Sequence, residues 1–155
     1  MTGIEQAAGA YVFGNEWQQE HERLSLMEAG WDANSIRNLG ELGDLIGWRC
    51  LEVGAGGGSI ARWLAERVGP TGAVVATDLD TRLLERLPSA PNLEVRRHDI
   101  VADDLEHAAF DLVHTRLVLE HLPQRALALD RMVAALKPGG WLVAEEFDHV
   151  TMLPA

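Results

Sequence analysis

Five short apolar runs punctuate the chain, each followed by turn-forming or charged residues. The first begins near Trp48 and ends at Val53. It runs into glycines at positions 54, 56, 57 and 58, and helix-forming residues follow at once over 60–67. That order predicts a buried strand, a tight turn and a helix N-terminus. Residues 73–78 read as a second buried strand ending on Asp78. Residues 93–97 alternate like a third strand nearer the sheet edge, and residues 110–115 and 141–146 give the fourth and fifth. Helices are predicted over 79–87, closed by Pro88 and Pro91, and over 123–136, where Leu127, Met132, Val133 and Leu136 are apolar. Gly69-Pro70-Thr71-Gly72 and Lys137-Pro138-Gly139-Gly140 are breaks.

Ahead of the first strand, Trp17, Leu24 and Met27 recur at helical spacing over 16–29, and Gly30 follows as a stop. Asp32 then reads as the N-cap of a second helix carrying Ile36, Leu39, Leu42 and Leu45, weakened by Gly40 and Gly43. Residues 1–15 have no clear periodicity. Strands alternating with helices imply right-handed βαβ units and a parallel, doubly wound α/β sheet, with ligands beyond the carboxyl ends of its strands. No repeat or low-complexity linker divides the chain, so a single domain over 1–155 is expected. Its parts are a helical cap over 1–46 and a core over 47–150.

Composition narrows the setting. The 155 residues are 47% apolar and 24% charged, ordinary values for a globular domain. No apolar run approaches the ~20 residues of a membrane span, and no signal peptide opens the sequence. The one cysteine, Cys50, lies in the first strand and reads as a core hydrophobe, so no intramolecular disulfide forms and a cytoplasmic location is expected. The net charge of −11 repels a phosphate backbone. Lys137 is the only lysine and no arginine run offsets that charge, so neither nucleic acid nor membrane is an expected partner.

The glycine turn carries the candidate chemistry. Its glycines fall at Gly54, Gly56 and Gly58, a Gly-x-Gly-x-Gly spacing, and no Walker lysine follows. Glu52, two residues earlier, suits an ammonium group better than a pyrophosphate. Asp78, at the end of the second strand, can accept two hydrogen bonds from a ribose diol, or can cap the segment after it. Asp99, at the end of the third, can meet an exocyclic amine such as adenine's, or cap its own loop. The turn therefore reads as the seat of a phosphate-free nucleoside cofactor.

From about Tyr11 to Asp148 the chain resembles the class I S-adenosylmethionine-dependent methyltransferases that act on small molecules. Leu51-Glu52-Val53-Gly54-Ala55-Gly56-Gly57-Gly58 resembles the family's first motif, and Ala76-Thr77-Asp78-Leu79 the second. His98-Asp99-Ile100 resembles the third, and residues 110–116 the fourth; residues 117–123 and 136–142 match two further common stretches. The resemblance implies a Rossmann-like, mostly parallel sheet in the order 3-2-1-4-5. It places the methionine portion against Gly54, Ala55 and Gly56, with Glu52 near its ammonium. The ribose falls on Asp78, the adenine on Leu79, Asp99 and Ile100, and the sulfonium region near Thr115. Tyr11 and Arg23 fall in the segment that covers the cofactor, and Arg23 is a candidate partner for the methionine carboxylate. A non-catalytic S-adenosylmethionine-binding module and a nicotinamide-dependent oxidoreductase are the alternatives, the latter disfavoured by the glycine spacing and Glu52.

Methyl transfer from a sulfonium is an in-line displacement that requires alignment and exclusion of water, with a general base where the acceptor must lose a proton. His114, Glu120, His121, Glu145, Glu146 and His149 lie where a base would sit. None is singled out, and His121 and His149 are the weak candidates. His98 reads as structural beside Asp99. No cysteine cluster or His-x-x-x-His pair suggests a metal. Family members continue past the fifth strand with a helix and two antiparallel strands that build the acceptor pocket. A fragment of a longer protein is therefore expected, or self-association covering an open sheet edge.

Overall fold

Alternation along the strands sorts their side chains into two apolar cores, one on each face of a sheet. The computed structural model describes residues 4–147, with side chains from His21 onward and at Gln19. Cys50, Val74 and Leu112 point to one face, where Leu39, Leu45, Ile60, Leu64 and Val68 cover them. Leu51, Val75 and Val113 point to the other, onto Phe110, Ala128, Met132 and Ala135. Side chains buried on both faces require helices on both faces, which is the doubly wound arrangement.

The strands are β1 (Arg49–Val53), β2 (Ala73–Asp78), β3 (Leu93–Arg97), β4 (Phe110–Arg116) and β5 (Leu136–Glu145). The helices are α1 (Ile4–Gly40), α2 (Ser59–Val68) and α3 (Arg125–Ala135). The sheet runs β3-β2-β1-β4-β5 with every pairing parallel, so strand order reverses between β1 and β4. A ligand crevice belongs at that switch point, outside the carboxyl ends of the strands. Among the described residues no helix is long and apolar enough to cross a membrane.

The structure corrects three readings of the elements. Residues 16–29 and 32–45 do not form two helices: α1 continues through Gly30 and Asp32, and its backbone is helical from Ile4. Asp32 does not cap; its carboxylate accepts from Ser59 Oγ at 2.9 Å and Arg116 Nη1 at 3.0 Å. These anchors outweigh the roughly 1 kcal/mol that a mid-helix glycine costs. Residues 79–87 form only a single 3-10 turn, Leu84–Arg86. Asp78 Oδ1 and Asp80 Oδ1 accept the amides of Asp80 and Arg82, a side-chain turn that competes with helix. The fifth strand starts at Leu136, and residues 137–140 bulge out of it, because Phe110 pairs with Leu136 while Leu112 pairs with Trp141.

Leu64 is fully buried in α2, whereas Leu26 is 74% exposed. Leu64→Ala should cost about 2–5 kcal/mol in urea unfolding, and Leu26→Ala within about 0.5 kcal/mol. Equal losses would contradict this assignment of the core.

Candidate functional site

The turn after β1 works because three of its residues adopt φ values that favour glycine: 71° at Gly54, 57° at Gly56 and 83° at Gly58. At Gly54 a Cβ would also collide with Cγ2 of Val118. The turn is pinned from β2. Thr77 O accepts the amides of Gly54 and Ala55 at 2.9 Å, and Asp78 Oδ2 accepts that of Gly56 at 2.9 Å. Opposite, Leu117 has φ 56°, a left-handed conformation that costs a side chain roughly 1–2 kcal/mol. Its burial and its N–H bond to Glu145 O at 2.8 Å hold it there.

Between these two turns lies a cavity of about 330 Å³, within the range of small-molecule sites. Gly54 and Gly56 floor it; Asp78, Leu79, Asp99 and Ile100 form the β2–β3 end, and Leu117, Val118 and His121 the β4 side. Arg23 closes it from α1 together with Leu24 and Met27, and Arg23 Nη1 approaches Met27 Sδ at 3.0 Å. Eight predicted site residues thus come together. Asp78 lies in its wall while holding the turn, and Leu79 is 58% exposed. Asp99 Oδ1 accepts from Val101 N at 2.8 Å and Ala102 N at 3.3 Å, so this carboxylate caps its own loop.

Three predicted residues do not reach the cavity. Thr115 is fully buried and donates its hydroxyl to Val53 O at 3.1 Å. The Ala55 methyl packs into the α2-side core. Glu52 faces away, beneath α1, because strand alternation puts it on the same side as Cys50. The side chain of Tyr11 and the whole of His149 lie outside the described residues.

Beneath α1, Glu52 enters a buried polar layer that sequence reasoning did not find. His114, its cross-strand partner in β4, is fully buried, with Nδ1 3.5 Å from Glu52 Oε1 and Nε2 3.1 Å from Glu145 Oε2. Glu145 Oε1 in turn accepts from Asn38 Nδ2 at 2.8 Å, tying α1 to the sheet. Burial pushes the His114 pKa down, but the bond to Glu145 and the Glu52 carboxylate outweigh it, and the pKa is raised. Burial pushes Glu145 up, yet hydrogen bonds from His114, Ser35 and Asn38 hold it at about 2. Glu52 Oε2 has no partner among the described residues. Cys50, lower on the same face, is pushed by burial up to about 12 and is an unreactive core thiol.

Two further carboxylates shape the cavity's surroundings. Glu28 presses against Gly57, where a Cβ would strike it, and accepts from Ser59 N at 3.4 Å at the start of α2. With Asp32 on Ser59 Oγ, the chain's own anions occupy the end of α2 where a phosphate would sit. Glu146 accepts three amides of the β4-side loop: Val118 at 3.2 Å, Leu119 at 3.0 Å and Glu120 at 3.2 Å. Glu145 and Glu146 are therefore an ion-pair partner and a loop clamp. Their opposite facing follows from alternation, but their partners lie too far off in sequence for a motif to name. Among the described residues no His, Cys, Asp or Glu group is arranged to hold a metal.

Two measurements check this geometry. Gly54→Ala should abolish ligand binding in the cavity while the chain stays folded by circular dichroism; retained binding would refute the close packing on Val118. The His114 contribution is complete below the unfolded imidazole value of 6.5 and is lost as pH rises through its raised folded value. Glu145 contributes above 4.5 and loses its share as pH falls towards about 2. Urea stability should fall above pH 6.5, and His114→Asn should flatten that fall. An identical pH profile in the variant would remove the pair as its cause.

A family model described as a methyltransferase domain matches residues 51–142. Methyltransferase str2 of Strobilurus tenacellus is 36% identical over 101 residues, covering 64% of this chain and 36% of its own length. Demethylmenaquinone methyltransferase of Lactococcus lactis is 30% identical over 128 residues, covering 79% and 50%. An S-adenosylmethionine-dependent methyltransferase structure from Mesorhizobium loti aligns with a TM-score of 0.67 at 26% identity, over 78% of this chain and 55% of that one. Phosphoethanolamine N-methyltransferase 2 of Haemonchus contortus, in complex with S-adenosyl-L-methionine, aligns with a TM-score of 0.65 at 28% identity, over 74% and 27%. The chain spans half or less of the length of these curated relatives. By the family model over most of its length, and by its sheet order and glycine turn, the chain belongs to the class I S-adenosylmethionine-dependent methyltransferase family.

Proposed function

We propose that this chain binds S-adenosylmethionine in the cavity between the Gly54 turn and the β4-side loop, and passes its methyl group to a small-molecule acceptor. The observation that carries this reading is the pairing of a glycine floor with a self-filled α2 terminus. Glu28 and Asp32 stand where a dinucleotide would need to place its pyrophosphate, while Asp78 remains in the cavity wall. A cofactor with a ribose diol and no phosphate fits that arrangement, and a nicotinamide dinucleotide does not.

In this reading the ribose hydroxyls donate to Asp78, whose oxygens retain lone pairs beyond the amides of Gly56 and Asp80. The exposed Leu79 side chain, Asp99 and Ile100 would hold the adenine. Gly54 and Gly56 would hold the methionine portion, and Arg23 its carboxylate. When bound, the cofactor supplies an electrophilic methyl on a sulfonium. The acceptor's proton would go to a base, for which His121 is the candidate: it lines the cavity mouth, and its Nε2 lies 3.4 Å from Glu120 Oε1. The cavity's small volume and the chain's acidity favour a small acceptor over a nucleic acid.

Titration calorimetry tests the reading with S-adenosylhomocysteine and NAD side by side. The chain should bind the first and not the second, and Asp78→Ala should weaken binding about tenfold or more, ~1.4 kcal/mol. Binding of NAD alone would overturn the reading. Binding of S-adenosylhomocysteine without turnover toward any acceptor would reduce it to a binding module.

A further inference from the structure

We propose that Arg116 is a cofactor-binding residue, the free edge of its guanidinium donating two parallel hydrogen bonds to the methionine carboxylate. The inference rests on the S-adenosylmethionine reading and deepens it. Arg116 is the last residue of β4 and forms part of the cavity wall beside Leu117. Thr115 pairs with Val53, the residue before the glycine turn, so Arg116 stands level with the start of that turn. Strand alternation sends its side chain to the α1 face, as it does that of His114. There Nη1 donates to Asp32 Oδ1 and to Ser35 Oγ, each at 3.0 Å, which uses both of its hydrogens. The side chain is only 13% exposed. Its Nε and Nη2 have no partner among the described residues, yet neither is sealed from solvent.

The residue forms cavity wall, so the cavity is where a ligand meets these donors. An edge made of Nε–H and Nη2–H is the fork that fits the two oxygens of a carboxylate. A phosphate takes the same fork, but Glu28 and Asp32 set two carboxylates on this side of the site. An amino-acid zwitterion brings an ammonium that offsets its own charge, and in the cofactor reading the methionine end is that zwitterion. Arg23 meets the same carboxylate under weaker terms. It is exposed on α1, with Nη1 3.0 Å from Met27 Sδ, and exposed ion pairs contribute little. Arg116 is fixed by Asp32 and Ser35 before the ligand arrives, so less side-chain freedom is lost on binding. Arg116 thus carries recognition of the carboxylate, and Arg23 supplements it from α1.

The test compares S-adenosylhomocysteine with its decarboxylated analogue, which keeps the ammonium, by calorimetry on the wild-type chain, Arg116→Met, Arg116→Lys and Arg23→Met. Arg116→Met keeps the apolar stem without the charge, and Arg116→Lys keeps the charge without the fork. The readout is the ratio of two affinities on one variant, so any loss of folded fraction cancels. The wild type should prefer the carboxylate roughly tenfold or more, both Arg116 variants should lose at least about fivefold of that preference, and Arg23→Met should lose less than either. An Arg116 variant that falls short of that loss, an Arg23 variant that loses as much, or a wild type that does not discriminate overturns the proposal while leaving the cofactor reading in place. Failure of the wild type to bind either compound refutes the cofactor reading, and this proposal with it.

Discussion

A buried imidazole held between two carboxylates, under a helix and over an apolar sheet face, fixes how the upper part of this molecule fits together. Taking such groups out of water is expensive, and the pair repays that only through good geometry and satisfied neighbours. Here Glu145 is satisfied on both oxygens, by His114 and by Asn38 of α1. Glu52 is satisfied less well: among the described residues its Oε2 has no hydrogen-bond partner, and His114 Nδ1 only approaches its Oε1 at 3.5 Å. The arrangement is therefore better understood as specifying position than as adding net stability. It fixes α1 over β1, β4 and β5, while Arg116 does the same through Asp32 and Ser35. Leu24 and Met27 reach the cavity because these contacts set the helix's place.

Two carboxylates of the same helix determine what the glycine turn excludes. The turn has the open backbone that phosphate binders use, yet α2 starts against Glu28 and Asp32. Burial raises the pKa of Glu28, a cost the fold tolerates here. A phosphate arriving there would meet both steric occupation and like charge. Exclusion is thus built from a distant segment, and the turn's own spacing only permits it.

Much of this was legible in the sequence where local rules act alone. Strands β2 and β3 have the predicted bounds, since apolar alternation bounded by turn residues leaves little choice, and the parallel order follows from strands alternating with helices. Gly54, Gly56 and Asp78 were readable because backbone bending and strand-end placement are local demands. Elsewhere tertiary contacts overrode local signals. Gly30 reads as a helix stop until Asp32, two residues on, finds Ser59 and Arg116. Residues 79–87 read as helix, but Asp78 and Asp80 capture the amides that a helix would use. Glu52 reads as a ligand residue from its place in a motif, whereas strand parity and His114 draw it beneath α1. The clamp at Glu146 carries no local signature, because its partners lie 26–28 positions away.

The two outer strands of the sheet differ in a way that bears on how the sheet can grow. β3 carries Glu94, Arg96 and Arg97, and Arg96 is ion-paired to Glu94 at 2.9 Å and to Glu106 at 3.0 Å. Charges of that kind discourage another strand from pairing there. The middle of β5 runs Trp141-Leu142-Val143-Ala144 without a charge, and Trp141 is 53% exposed. The two margins of the sheet therefore differ in charge: ionised along β3, and uncharged through the middle of β5, next to the strand that carries the polar layer.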